Sequence, residues 1–248
     1  MDLGLKGRTA IVLGASSGMG LASAEALAAE GANVAMFARR RDVLEREAER
    51  IGGLAVRGDV TSPRDLERLV DQTRAAFHGV DILVWNSGGP PPGRAEDLTV
   101  EAVEHAVELL LLPPVLLLRL LLPDLERSGS GRLIAITSIA VREPNENLVL
   151  SNIVRPGVTG WAKTLSRELG PKGITVNCVA PGRIDTPRMT EIYGSDGPPA
   201  AEIEQIPLGR MGSPRELGDV VCFLASGRAS YVTGTTIQVD GGAARSLL

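Results

Sequence analysis

The chain alternates between short apolar runs and longer segments whose apolar residues recur at helical spacing. The short runs contain mostly Val, Ile, Leu and Ala, and they predict six strands, at Thr9–Leu13, Asn33–Phe37, Leu54–Arg57, Ile82–Trp85, Leu133–Thr137 and Ile174–Val179. The longer segments predict helices at Ala22–Glu30, Val43–Ile51, Pro63–Phe77, Val100–Glu108 and Val158–Leu169. Strands that alternate with helices pair in parallel, because a right-handed helical crossover returns the chain to the same end of the sheet.

Some of the predicted strands are apolar along their whole length. Ala10–Leu13 and Ile82–Trp85 contain no polar residue except the indole nitrogen of Trp85, so both of their faces suit a dry environment. We therefore predict an α/β fold: a single doubly wound Rossmann-type domain over residues 1–248, with a mostly or wholly parallel sheet of about seven strands and helices on both faces. Ligands of such sheets bind at the carboxyl ends of the strands.

Composition narrows the class of ligand. The 248 residues are 44% hydrophobic, which is enough to bury a core, and they carry a formal net charge of −4. No broad positive field exists to attract a phosphate backbone, and the seven aromatic residues are too few for stacking on bases. We expect a small-molecule partner, with neither nucleic acid nor membrane.

The cysteines and the termini add little chemistry. Cys178 and Cys222 lie in apolar runs and are interpreted as buried structural thiols, and no spacing of His, Cys and carboxylates suggests a metal site. The segment Met1–Lys6 lacks the pattern of a secretory signal, so we expect a cytoplasmic protein. The apolar segment Leu109–Leu122 is interrupted by Pro113, Pro114 and Arg119 and is shorter than a membrane span, which predicts a buried or subunit-packing helix.

A glycine-rich turn follows the first predicted strand. It reads Gly14-Ala15-Ser16-Ser17-Gly18-Met19-Gly20, and a helix begins directly after it. Glycines at a strand-to-helix turn allow backbone N–H groups to approach a phosphate closely. Such a turn alone is a weak signal, but its place between the first strand and first helix of an alternating chain favours a dinucleotide site.

Six motifs, in order and at matching spacing, resemble those of the short-chain dehydrogenase/reductase family, the 3-oxoacyl-acyl-carrier-protein reductases in particular. They are the glycine loop, Asp59-Val60-Thr61, Asn86-Ser87-Gly88-Gly89, Ser138, the loop Pro181-Gly182-Arg183-Ile184-Asp185-Thr186, and Val239-Asp240-Gly241-Gly242. The resemblance implies that the cofactor contacts Gly14, Ser16, Ser17, Gly18, Met19, Gly20, Asp59, Val60, Asn86, Ser87, Gly88, Pro181, Gly182, Ile184 and Thr186. It also implies a substrate flap at about residues 187–206.

The end of the second strand bears on cofactor choice. An enzyme of this kind that prefers NAD usually has an acidic residue there, whereas an arginine can pair with the 2′-phosphate of NADP. Arg39-Arg40-Arg41 follows the strand, and no carboxylate occurs before Asp42. We therefore favour NADP(H) over NAD(H), with Arg39 as the first candidate, Arg40 beside it and Ser16 as an assisting hydroxyl. The alternative is a solvated helix start.

The catalytic half departs from the family pattern. The resemblance places a Tyr thirteen residues after Ser138 and a Lys four residues later, where this chain has Ser151 and Arg155. A serine hydroxyl is a much poorer proton donor than a tuned phenol, and a guanidinium stays protonated. The family's helix Asn aligns with Leu110, and Pro156 is expected at a helix start, which leaves the direction of Arg155 open.

Other side chains are weaker candidates for the proton donor. Thr159 and Lys163 lie eight residues too far from Ser138 to form a shifted pair. Tyr193 lies in the implied flap and is a minor candidate. The remaining tyrosine and histidines, Tyr231, His78 and His105, are interpreted as structural or surface residues.

Two hypotheses follow from these residues. In the first, the protein is an NADP-dependent oxidoreductase that acts on a carbonyl or secondary alcohol through Ser138, Ser151 and Arg155. In the second, it is a catalytically silent relative that binds NADP or serves as a scaffold or regulatory subunit. The resemblance also implies a homo-oligomer, a dimer or tetramer, that packs through Val100–Leu122 and Val158–Leu169.

Overall fold

A computed structural model describes residues 2–247, and its centre is a seven-stranded, fully parallel sheet. The strands are β1 (Thr9–Leu13), β2 (Asn33–Ala38), β3 (Leu54–Arg57), β4 (Ile82–Trp85), β5 (Arg132–Ile136), β6 (Thr175–Pro181) and β7 (Thr236–Val239). Their order is β3-β2-β1-β4-β5-β6-β7. The chain reverses direction across the sheet between β1 and β4, which opens a crevice at the carboxyl ends of these strands. The predicted fold is confirmed.

Helices cover both faces of the sheet. They are α1 (Gly18–Ala29), α2 (Arg41–Ile51), α3 (Pro63–Phe77), α4 (Val100–Leu110), α5 (Leu112–Ser128), α6 (Val149–Leu169), α7 (Pro187–Tyr193), α8 (Ala200–Glu204) and α9 (Pro214–Ala225). Leu27 of α1 and Val221 of α9 pack on one face, whereas Leu69 of α3, Leu121 of α5 and Leu165 of α6 pack on the other. Burial on both faces explains the continuous apolar runs.

Helix α6 differs from the sequence prediction. It begins at Val149, nine residues before the expected start, and Pro156 lies inside it. The expectation that Pro156 marks a helix start is wrong. A proline lacks the N–H that would bind the carbonyl four residues earlier, but the apolar face formed by Leu150, Val154 and Val158 holds the helix on the core. Ser151 and Arg155 therefore lie one turn apart on one helix.

The apolar segment Leu109–Leu122 forms parts of α4 and α5, which follow one another almost without a break. The helical stretch Val100–Ser128 is long and apolar enough to cross a membrane, so the length argument against a span is wrong. Length and composition are weak evidence here, because core helices of globular proteins have the same properties. Leu117, Leu121 and Leu125 are fully buried against the sheet, as the expectation of a packing helix requires.

Both cysteines are buried. Burial raises the pKa of Cys178 to about 11 and that of Cys222 to about 12, so both thiols are inert at neutral pH. Within residues 2–247, no group of three or more His, Cys, Asp or Glu side chains has the arrangement of a metal site.

Candidate functional site

The glycine turn forms a cradle at the carboxyl end of β1. Gly14 has a φ of +61°, which favours glycine, and a Cβ there would lie 2.6 Å from Nδ2 of Asn86. A Cβ on Gly20 would lie 2.3 Å from the carbonyl oxygen of Gly14, a distance that no side chain tolerates. The first turn of α1 thus packs tightly on the turn, and Asn86 from the end of β4 closes it from the side.

The loop after β6 lies against this cradle. A Cβ on Gly18 would lie 3.2 Å from the Cγ2 methyl of Thr186, and one on Gly182 would lie 2.7 Å from the Cβ of Asp240. Ile184 is buried and belongs to the same apolar cluster as Val12 of β1 and Ala15 of the glycine turn. The loop Pro181–Thr186 and the glycine cradle therefore form two sides of one cleft, as the resemblance implies.

An arginine lies on the glycine turn. Nη2 of Arg40 donates to the hydroxyl of Ser17 at 2.8 Å and to that of Ser16 at 3.2 Å. The Arg39 side chain is exposed, and its carbonyl accepts from Nε of Arg57 at 3.3 Å. The structure therefore places Arg40, rather than the first candidate Arg39, against Ser16. Arg39 and Arg57 lie in contact with each other nearby.

The remaining predicted cofactor contacts lie at the same edge of the sheet. One carboxylate oxygen of Asp59 accepts from the backbone N–H and the hydroxyl of Thr61, which fixes the turn after β3. Val60 is half-buried against the core. The backbone N–H of Asp59 donates to the carboxylate of Asp65. This bond, with the nearby Arg68 and Arg57, holds the pKa of Asp65 below its usual range. Asn86, Ser87 and Gly88 continue from β4.

Ser138 lies two residues beyond β5. Its Oγ accepts from the backbone N–H of Ala140 at 3.1 Å, so the hydroxyl proton remains available for donation to a ligand. The side chain is half-buried at the carboxyl edge of the sheet. This position suits a group that binds a carbonyl oxygen.

Ser151 and Arg155 occupy α6 beside the end of β5. Ser151 is buried, and Nη1 of Arg155 donates to the carbonyl of Ile136 at 3.1 Å. Burial, assisted by the positive charge of Arg188, lowers the pKa of Arg155 to about 10, and the guanidinium stays charged at neutral pH. Leu110 is buried in an apolar cluster with Leu150 and Val154. No polar group of α4 therefore replaces the family Asn there.

Tyr193 is held by its own segment. Its hydroxyl donates to Oε2 of Glu202 at 2.8 Å, and the same oxygen accepts from Nε of Arg183 at 3.0 Å. Burial and the bond to Glu202 raise the pKa of Tyr193, which weakens it as an acid. Burial acts to raise the pKa of the Glu202 carboxyl. The hydrogen bonds from Tyr193 and Arg183 have the larger combined effect, so the pKa of Glu202 is lower than its usual value. Tyr193 is therefore a link between α7, α8 and the loop after β6 rather than a proton donor.

The other minor candidates lie outside the cleft. Nζ of Lys163 donates to the carbonyl of Gly234 at 2.9 Å, near the start of β7, and Thr159 donates to the carbonyl of Arg155 at 3.1 Å. His78 ends α3 in a left-handed conformation, His105 lies on the exposed face of α4 beside Glu108, and Tyr231 is fully exposed. All of them are structural or surface residues, as the sequence suggests.

Sequence analysis missed one charged residue of this region, Arg188. Nη2 of Arg188 donates to the carbonyl of Pro90 at 2.5 Å, and its guanidinium lies across Gly89. The only signal in the sequence is its place directly after the Pro181–Thr186 loop.

Comparisons with known proteins agree with this architecture. The chain matches a family model described as Enoyl-(Acyl carrier protein) reductase over residues 14–244. The 3-oxoacyl-acyl-carrier-protein reductase FabG of Escherichia coli is 35% identical over 242 residues, which cover 97% of this chain and 98% of FabG. Dehydrogenase/reductase SDR family member 4 of Oryctolagus cuniculus is 34% identical over 245 residues, covering 96% of this chain and 94% of that protein.

A solved structure of a reductase has the same fold as this chain. The L-sorbose reductase of Gluconobacter frateurii, determined with NADPH and L-sorbose, matches with a TM-score of 0.93 and 33% identity, and the match covers 100% of both chains. The sequence resemblance is thereby confirmed. The chain belongs to the short-chain dehydrogenase/reductase family of oxidoreductases.

Proposed function

We propose that the protein is an NADP(H)-dependent oxidoreductase that interconverts a small-molecule carbonyl and a secondary alcohol at an atypical site. The observation that carries the proposal is the cleft itself, in which the glycine cradle, the Pro181–Thr186 loop and Ser138 share one edge of the sheet. Segment 187–206, which contains α7 and α8, serves as the substrate flap.

The residues of the cleft fit a phosphorylated dinucleotide. Protein atoms fill the space beside Gly14 and Gly20, so no side chain fits there, and a turn without these side chains would let backbone N–H groups approach a pyrophosphate. Arg40, which donates to Ser16 and Ser17, would supply the cation for a 2′-phosphate, and this assignment is supported by the absence of a carboxylate between β2 and Asp42 in the sequence. When bound, the cofactor supplies or accepts the hydride.

The chain's own residues then position the substrate and handle the proton. The Ser138 hydroxyl donates to the carbonyl oxygen, and the positive charge of Arg155 favours negative charge at this edge of the sheet. Arg155 cannot pass its proton on at neutral pH, so the proton reaches the alkoxide through the Ser151 hydroxyl or a water. Because neither group has a phenol's acidity, the reaction is slow and depends on positioning.

The first test is a titration of the purified protein with NADPH and, separately, NADH, followed by nicotinamide fluorescence. We expect tight binding of NADPH and weak binding of NADH, with slow NADPH oxidation on a panel of ketones. Failure to bind either nucleotide would overturn the proposal. Tight NADPH binding with no turnover on any carbonyl would favour the silent relative, a role that Ser151, Arg155 and Leu110 motivate.

Arg40→Ala is expected to weaken NADPH binding about tenfold or more and to leave NADH binding unchanged within about twofold, because a charge-assisted bond contributes about 1.5–3 kcal/mol. Fluorescence titration of both nucleotides measures this. Arg46→Ala is the matched control, since Arg46 is an exposed arginine of α2 that pairs with Glu47. Equal losses for NADPH and NADH would show that Arg40 does not read the 2′-phosphate.

The double substitution Ser151→Tyr with Arg155→Lys is expected to raise kcat by about tenfold or more, because a positioned general acid contributes about 10²–10⁴. Both side chains would lie one helical turn apart on α6, as in the family. Steady-state rates and their pH profile measure the effect, and a new pH dependence should accompany the gain. An unchanged rate, with NADPH binding intact, would mean that the pocket no longer aligns with a family donor.

We also propose that the protein forms a homo-oligomer, a dimer or tetramer, through α4, α5 and α6. The outer faces of these helices expose Leu112, Val115 and Ile153 at 53%, 38% and 46% of their surfaces. Apolar side chains concentrated on one face favour association.

A further inference from the structure

Two arginines reach the substrate side of the cleft from different elements. Arg188 comes from α7 and spans the gap to the loop after β4, where it lies across Gly89 and donates to Pro90. Its side chain is only 24% exposed, whereas its one carboxylate partner, Glu191 at 2.8 Å, is 64% exposed. Glu191 is thus the more exposed member of the pair, whereas the Arg188 guanidinium is largely shielded against Gly89 and Pro90.

Arg155 is the second cation. It donates one N–H to the carbonyl of Ile136, at the end of β5, although a guanidinium has five such donors. Within residues 2–247, no carboxylate forms an ion pair with Arg155, and the nearest charge that affects it is that of Arg188. Burial of a cation without a counter-ion is costly.

Arg188 contacts the loop after β4 and Arg155 contacts the last residue of β5, and because these strands are neighbours both guanidinia lie at the same edge of the sheet. Trp85 pairs with Ala135 in the sheet, so the chain leaves β4 beside the carbonyl that Arg155 contacts. Ser138 follows two residues after that carbonyl. Two like charges at one edge, balanced among the described residues by the exposed carboxylate of Glu191 alone, create a field that favours an anion next to the candidate reaction centre.

We propose that Arg155 and Arg188 bind an anionic oxygen group of the substrate, a carboxylate or a phosphate, and that the substrate is an anionic carbonyl compound. This inference rests on the proposed function and names the substrate class of the same site. Arg188 is a specificity-determining residue in this role, because it closes over the loop after β4 from the flap. A planar guanidinium suits either anion through paired N–H donors.

The pyrophosphate of the cofactor carries the same kind of anionic oxygen, so it is the alternative ligand of these two arginines. The test distinguishes the substrate anion from the pyrophosphate. The probes are pyruvate, acetoacetate and levulinate, each against its methyl ester, titrated calorimetrically into the protein saturated with NADP⁺. We expect at least one acid to bind tenfold or more tightly than its ester. Arg188→Gln should reduce that preference at least tenfold and change NADPH affinity less than twofold.

Arg215→Gln is the matched control, because Arg215 is an exposed arginine in the first turn of α9 and its loss changes the net charge equally. The inference is overturned if no acid binds more tightly than its ester, or if Arg188→Gln weakens NADPH and leaves the acid preference intact. The latter result would assign the arginines to the cofactor. Reduction of the neutral esters in either case would leave the proposed oxidoreductase function standing, whereas absence of NADPH binding would remove that function itself.

Discussion

Ser138→Ala is expected to lower kcat/KM for carbonyl reduction about 100-fold, because removal of one positioned donor to a developing oxyanion costs about 10²–10³ in rate. The Ser138 oxygen accepts from Ala140, so its own proton is directed to the ligand. The loss should therefore appear mainly in kcat, with NADPH affinity unchanged.

The conservative variant Ser138→Thr serves as the control for this prediction. It keeps a hydroxyl at the end of β5 and should retain at least about a tenth of the activity. Steady-state rates with a reducible ketone, together with NADPH fluorescence titration of both variants, measure the difference. Full activity in the alanine variant would show that Ser138 does not contact the reacting oxygen.

Gly20→Ala is expected to weaken NADPH binding about 100-fold and to lower the free energy of unfolding by about 3 kcal/mol, since overpacking of a tight contact has that cost. The added methyl would lie 2.3 Å from the carbonyl oxygen of Gly14 and 2.7 Å from Nδ2 of Asn86. The backbone of Gly14, the start of α1 and the Asn86 side chain would have to shift. The cradle would open where a pyrophosphate needs close backbone N–H groups.

Gly157→Ala provides the contrast. Apart from its chain neighbours and the adjacent backbone of α6, no heavy atom lies within 4 Å of a Cβ at Gly157, which is in the middle of that helix, so the change should raise stability by about 0.5–1 kcal/mol through helix propensity. Thermal unfolding and NADPH titration of both variants measure the two effects. A Gly20→Ala protein with wild-type melting temperature and affinity would contradict the packing of the cradle described above.

The fold was predictable from the sequence because a buried parallel sheet needs apolar strands and amphipathic helices in strict alternation. Pro63–Phe77 matches α3 at both ends, since a capping serine and a proline at its start mark the boundary locally. The start of α6 was not predictable. Pro156 is locally a helix breaker, and only the packing of Leu150 and Val154 against α4 overrides that tendency.

The position of the predicted cofactor-binding residues at one cleft was predictable, because each lies in a loop whose length and glycines are locally constrained. Which of Arg39 and Arg40 lies on the glycine turn was not predictable, because it depends on the direction in which the chain leaves β2. Arg188 was missed for the same reason. Its partner Pro90 is 98 residues away in the chain, and no local pattern indicates a contact over that separation.

The contacts of segment 187–206 have a consequence for the rates of entry and exit. Thr186 and Pro187, where the segment begins, lie beside Gly18, Arg188 donates to the carbonyl of Pro90, and Glu202 accepts from both Arg183 and Tyr193. These contacts join the segment to both walls of the cleft, and a large ligand can enter only while they are broken. Association would then follow the opening of the segment rather than diffusion, and the same motion would set how long a bound molecule is kept.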